Sequence, residues 1–258
     1  MQRTFTYKAL VINIQPTGEN NSYVTLLTAE KGIIRAVLYG GPKSKMRSLV
    51  TKWNCGNIWI YENPEKKQIK ITDFEIKHFH NTFSENLYKS FAASLAAELA
   101  IKTHCAGSNQ QCFELINGFF NGMELCNEEQ SKMGLIRFLW RYIELLGIQP
   151  QTKECGFCGN SFFNSDFNVN SVLYYNKRDN NFICSECINS VQNKSDFFPI
   201  KTEALFYLSA ISTLPPAQTR KIQINKEEYI QIRQIVFFLI ENCVSQKLNS
   251  IEIGIGIL

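Results

Sequence analysis

The chain has 258 residues and a mass of 29.6 kDa, with 45% apolar and 19% charged residues and a formal net charge of +4 at neutral pH. That balance supports a buried core and excludes a disordered polyelectrolyte. The longest apolar runs, such as Ile235–Ile240, fall far short of the roughly 18 residues a membrane span needs. Only Ala9–Ile12 are continuously apolar near the start, so no signal peptide is expected and the chain reads as a soluble cytoplasmic protein without a membrane partner.

Charge is unevenly spread. Residues 1–80 carry twelve Lys and Arg against six Asp and Glu, and the rest of the chain carries fifteen against seventeen. A basic N-terminal third suits an anionic partner, and the plainer reading is a solubilising lysine-rich face.

Five short segments rich in β-branched and aromatic residues predict strands over Thr6–Gln15, Ser22–Thr28, Ile33–Tyr39, Asn57–Tyr61 and Gln68–Phe74. Between the second and third, Ala29–Gly32 reads as a hairpin loop, with Gly32 free to take a positive φ. Five strands in this length fit a small closed barrel, which leaves no exposed edge. An open sheet capped by the following helices is the competing architecture. After the third strand, Lys43, Lys45, Arg47 and Lys52 form a dense positive segment. With Arg35 these are the candidate phosphate contacts, and Tyr39, Trp53 and Trp59 are candidate stacking surfaces for single-stranded nucleic acid. A solvated loop with its aromatics buried is the alternative.

From Phe83 onward apolar residues recur at helical spacing, and the alanine-rich stretch 92–100 favours a closely packed helix that Ser84 would cap. Further helices are predicted over Cys112–Leu125 and Glu128–Leu146. The latter is apolar on most sides, with a polar stripe of Arg137, Arg141 and Glu144, and ends at Gly147 and Pro150. Two more helices are expected at Thr202–Ser212 and Lys226–Cys243.

Between the two helical stretches lie two C-x-x-C knuckles, Cys155/Cys158 and Cys184/Cys187, with 25 residues between them. Two residues between thiolates let both reach one ion, and two knuckles complete a tetrahedral four-sulfur shell, the preferred surrounding of structural Zn2+. Such a site has no open position, so its metal is structural and not catalytic. Cys55, Cys105, Cys112, Cys126 and Cys243 stand singly and read as buried small hydrophobes. Catalytic equipment is sparse. Asp73, Asp166, Asp179 and Asp196 are scattered, His78, His80 and His104 are the only histidines, and there is no phosphate-loop or nucleophile-elbow motif. No enzyme is expected.

Three blocks resemble the RecO family of bacterial recombination mediators: 17–28 with Lys31-Gly32 and 40–45; 137–150 running into Cys155–Cys158; and 246–250. The resemblance implies an α+β chain. An N-terminal five-stranded OB-fold barrel (1–80) would be followed by a helical domain in two parts (81–150 and 196–258), interrupted by an inserted zinc-ribbon-like module (151–195). It also implies a nucleoid-associated DNA repair and recombination protein that binds single- and double-stranded DNA and anneals complementary strands. RecR and the C-terminal tail of single-stranded DNA-binding protein would be its partners in loading recombinase. An RNA-binding or transcription-associated zinc protein and, further off, a zinc-dependent hydrolase are the alternatives.

Overall fold

The structure, a computed structural model, describes residues 3–40, 44–65, 68–163, 172–244 and 246–258. Its first segment folds into strands β1 (Thr4–Thr17), β2 (Asn21–Thr28) and β3 (Gly32–Tyr39), the short helix α1 (Lys45–Leu49), and strands β4 (Cys55–Asn63) and β5 (Gln68–His78). The five strands close into a barrel in the order β1-β2-β3-β5-β4, which decides against the open sheet. β1 is longer than its sequence pattern indicated because it serves two seams. Thr4–Leu10 pair with β4 and Ala9–Thr17 with β2, across a bulge between Val11 and Asn13. Closure is completed by parallel pairing of β3 with β5, Val37 opposite Lys70.

Side chains alternate as a period of two demands. Along β3, Ile34, Ala36 and Leu38 point into the barrel core, whereas Arg35 and Tyr39 are exposed. Burying a side chain the size of Ile34 or Leu38 in this way contributes about 1.5–3 kcal/mol. α1 packs on the same core through the partly buried Met46 and Leu49, and Val50, the residue that follows it, is buried there. The β2–β3 hairpin turns at Gly32, whose φ is +68° as expected. Thr28 Oγ1 accepts the Lys31 amide at 3.1 Å and donates to the Gly32 carbonyl at 2.9 Å.

Helices follow: α2 (Thr82–Glu85), α3 (Leu87–Lys102), α4 (Asn109–Glu124) and α5 (Glu128–Leu145). The expected Ser84 cap is replaced. Ser84 Oγ donates to the Asn81 carbonyl, the chain breaks at Asn86, and the Asn86 side chain accepts the Lys89 amide at 2.9 Å to cap α3. α5 stops before Gly147, where φ is +72°.

The chain divides into two compact units, residues 1–135 with 246–258, and residues 136–245; the division falls within α5. In the first, the alanines of α3 are buried and the last helix, α9 (Asn249–Ile253), docks on α3. Glu98 accepts the amides of Asn249 at 2.9 Å and Ser250 at 2.8 Å, and the Ser250 hydroxyl at 2.5 Å. In the second unit, β6 (Val172–Asn176), β7 (Asn181–Ile183) and β8 (Phe197–Lys201) form a sheet in the order β7-β6-β8, joined by α6 (Thr202–Thr213), α7 (Pro216–Thr219) and α8 (Lys226–Asn242). β8 has no clear signal in the sequence. The supposed polar stripe of α5 is partly inward, since Arg137 donates to the Tyr207 hydroxyl at 3.1 Å and Arg141 to the Ile211 carbonyl at 3.2 Å. Among the described residues no helix is long and apolar enough to cross a membrane.

Candidate metal centre and nucleic-acid interface

The first knuckle is shaped by its own backbone. The Cys155 amide donates to the Asn160 carbonyl and the Gly159 amide to the Cys155 carbonyl, both at 2.9 Å, while Glu154 bridges Ser161. Gly156 ties this turn to the second knuckle, its amide donating at 2.8 Å to the Phe182 carbonyl in β7. A Cβ on Gly156 would come within 2.4 Å of the Asn181 side chain, so the approach requires glycine. Cys184 follows β7 directly, and Cys187 opens a single turn of 3₁₀ helix. The aromatic residues between the knuckles divide: Phe162, Tyr175 and Phe182 are buried, Phe163 stacks on Phe206 with centroids 4.7 Å apart, and Phe167 lies outside the described residues.

These constraints bring all four sulfurs within 4.8 Å of one another. Cys155 Sγ lies 3.7 Å from Cys187 Sγ, and Cys158 Sγ 3.9 Å from Cys184 Sγ. A metal–sulfur bond of 2.3 Å in a tetrahedron requires edges of about 3.8 Å, whereas a disulfide would draw two sulfurs to about 2.05 Å. The donor set therefore suits one metal ion. Burial pushes the Cys155 thiol up, but the amides of Cys158, Cys184 and Phe157 donate to it and outweigh burial, bringing it down to about 7. A thiolate, the form a metal binds, is thus accessible near neutrality. Burial and the neighbouring thiols hold Cys187 well above the usual thiol range.

The basic residues fall on two places in the barrel. Lys45 and Arg47 are exposed on α1, and Lys52 is exposed in the turn after it. The Lys52 ammonium sits 4.3 Å over the Trp53 ring, where desolvation lowers its pKa. Arg35 stands apart, outward from the middle of β3, with its guanidinium 4.3 Å over Tyr23 and Nη2 3.3 Å from Gln15 Oε1. Lys43, Lys66 and Lys67 lie outside the described residues.

The aromatic candidates separate in the same way. Tyr39 is exposed and Trp59 half-buried, but Trp53 is buried, packed edge-on against Phe120 at 5.5 Å and tilted to Phe83 at 6.5 Å, so it offers no stacking surface. His78 and His80 do not form a ligand pair. His78 is exposed at the end of β5, and His80 is buried with Nδ1 2.6 Å from the Trp53 carbonyl and Nε2 2.9 Å from Asn121 Oδ1. Of the single cysteines, Cys55, Cys105 and Cys112 are buried, while Cys126 and Cys243 are partly exposed. Tyr23 was absent from the sequence expectation, although its outward phase between Ser22 and Val24 marks it for the barrel surface.

Two family descriptions match the chain: Recombination protein O N terminal over residues 1–79 and Recombination protein O C terminal over residues 84–252. Curated relatives named DNA repair protein RecO are similar to it. The protein of Cyanothece sp. (strain PCC 7425 / ATCC 29141) is 28% identical over 155 residues, 58% of this chain and only 52% of that relative, about half its length. That of Synechococcus sp. (strain JA-2-3B'a(2-13)) is 26% identical over 81% of this chain and 76% of the relative. That of Bacillus pumilus (strain SAFR-032) is 24% identical over 89% and 85%.

Proposed function

The chain belongs to the recombination protein O family, and from that premise we propose that it is a non-enzymatic DNA repair and recombination mediator acting in the cytoplasm at the nucleoid. It binds single- and double-stranded DNA through the basic barrel, anneals complementary strands, and with RecR and the tail of single-stranded DNA-binding protein assists recombinase loading. The observation that carries this reading is the closed barrel with exposed Lys45, Arg47 and Lys52 on and beside α1 and Arg35 on its wall. Lys43 belongs to the same basic run in sequence.

Flexible lysines meet phosphates as point charges and carry no base specificity, so affinity here is electrostatic and indifferent to sequence. That suits a protein that must act wherever single strands appear. In the domain division proposed from sequence, the module 151–195 interrupts the helical part. Cys155, Cys158, Cys184 and Cys187 would hold a structural Zn2+, which has no open coordination position and supplies folding energy rather than chemistry.

Fluorescence anisotropy with a labelled single strand and a labelled duplex across a salt series tests the proposal. Binding to both, weakening with salt at a slope of about −0.7 per phosphate neutralised on the single strand, is expected. Absence of binding at low salt would overturn it.

A further inference from the structure

Two further thiols meet outside the four-sulfur cluster, and from their arrangement we infer that Cys105 and Cys112 form a redox site, a dithiol that hydrogen peroxide converts to an intramolecular disulfide. Both belong to the first unit, whereas the four knuckle cysteines belong to the second. The backbone between α3 and α4 brings the pair together. The single turn His104–Gly107 joins the two helices, and its four residues all have positive φ, +49°, +57°, +50° and +78°. The Ser108 amide then donates to the Cys105 carbonyl and the Cys112 amide to the Ser108 carbonyl, both at 3.0 Å. Cys105 is thereby held beside the first turn of α4, where its thiol is hydrogen-bonded to that of Cys112. Both side chains are buried, at 1% and 0% exposure.

The same turn rests on the barrel. The Ile33 amide, next to the Gly32 turn, donates to the Cys105 sulfur. Asn109 packs so closely on Gly32 that a Cβ there would lie 2.3 Å from Asn109 Oδ1. The hydrogen bonds from the Cys112 thiol and the Ile33 amide outweigh burial and hold Cys105 below the ordinary thiol value. Cys105 is therefore the attacking thiol, since the thiolate is the nucleophile, and Cys112, already in contact, is the resolving one. Access comes through the turn itself. His104 and Gly107 are exposed on either side of Cys105, and a left-handed backbone is disfavoured for the three residues that carry a side chain, so this turn opens more readily than the regular helices flanking it.

The step balances with peroxide as the only co-reactant. The Cys105 thiolate attacks one peroxide oxygen, the O–O bond breaks, and the departing hydroxide takes up the proton Cys105 released, leaving a sulfenic acid and one water. Cys112 then attacks the Cys105 sulfur. An S–S bond forms, the S–O bond breaks, and the hydroxide leaves with the Cys112 proton as a second water. The two thiols lose two electrons in all and the peroxide gains them. A small thiol reverses the change by exchange, giving its own disulfide and the two cysteines back.

The test is peptide mapping of the full chain. The folded protein is treated with hydrogen peroxide, quenched, denatured in excess alkylating agent and cut with a glutamyl endopeptidase. Cleavage after Glu98 and Glu114 releases residues 99–114, in which Cys105 and Cys112 are the only cysteines. The expected peptide carries no alkyl group and is lighter than the dithiol by two hydrogen atoms, and treatment with a small thiol before alkylation restores both alkylation sites. A Cys112→Ser chain lacks the resolving thiol and is expected to accumulate the Cys105 sulfenic acid, trapped as a dimedone adduct. A peptide 99–114 that still takes two alkyl groups after peroxide would overturn the proposal, and so would one joined by a disulfide to another segment. Absence of the dimedone adduct from a Cys112→Ser chain that melts cooperatively would overturn Cys105 as the attacking thiol. The wild-type map needs no substitution, so the proposal stays open to refutation even where the variant does not fold.

Discussion

Cys187 closes the four-sulfur cluster from the first turn of a 3₁₀ helix, 3.7 Å from Cys155 across the site. Serine there replaces a soft donor with a poor one and leaves three thiols, too few for a closed structural shell. The Cys187→Ser protein is expected to retain only a small fraction of one zinc equivalent in a metal-release assay and to unfold at a lower temperature. Full zinc content with unchanged stability would remove the structural metal from the proposal. Glu98 is a second residue on which much depends. Burial pushes its carboxyl up, but the Ser250 hydroxyl and amide, the Lys102 ammonium and the Asn249 amide together hold it below the ordinary carboxylate value. A depressed folded value means that the stabilisation is complete above the unfolded value, about 4.3, and fades as pH falls through the folded one. Glu98→Gln should therefore be less stable than wild type to urea at neutral pH, with the gap closing in acid. A gap of constant size at all pH values would show that charge at Glu98 is irrelevant.

At the scale of elements, the α1 segment joins two roles, because Met46 and Leu49 face the core while Lys45 and Arg47 face water. Replacing Lys45, Arg47 and Lys52 with alanine spares the apolar side and should flatten the single-strand salt slope by about 2, the sum of three phosphate contacts at about 0.7 each. An unchanged slope would move the phosphate track off α1. How legible such elements are depends on where their determinants lie. The four cysteines could be read at once because each knuckle is local, and the strands because a period of two is local too. The cap of α3 was misassigned because Ser84 and Asn86 are both good capping residues, and the backbone break that selects Asn86 is not written in composition. Trp53 was misplaced because its burial comes from Phe83 and Phe120, residues of later helices. β8 was missed because its pairing partner is β6, more than twenty residues earlier. The Tyr23–Arg35 pair needed register, which depends on the whole sheet.

At the scale of the whole molecule, the chain is two units, and the first is assembled from distant parts of the sequence, residues 1–135 and 246–258. The second, 136–245, is an insertion between them and carries both knuckles. The closing turn of the first unit thus rests on hydrogen bonds that Glu98 accepts from residues 151 and 152 positions later. On a ribosome this imposes an order of events. The barrel, α3 and α4 leave the exit tunnel early, and α3 must then wait with the Glu98 carboxylate uncapped while the whole insertion is translated. At about 5–20 residues per second, that wait lasts roughly 5–20 s. The first half of the protein is therefore made first and finished last, and a stalled or prematurely terminated chain would expose an unfinished face of α3 to the cell's quality-control machinery even though its barrel was already complete.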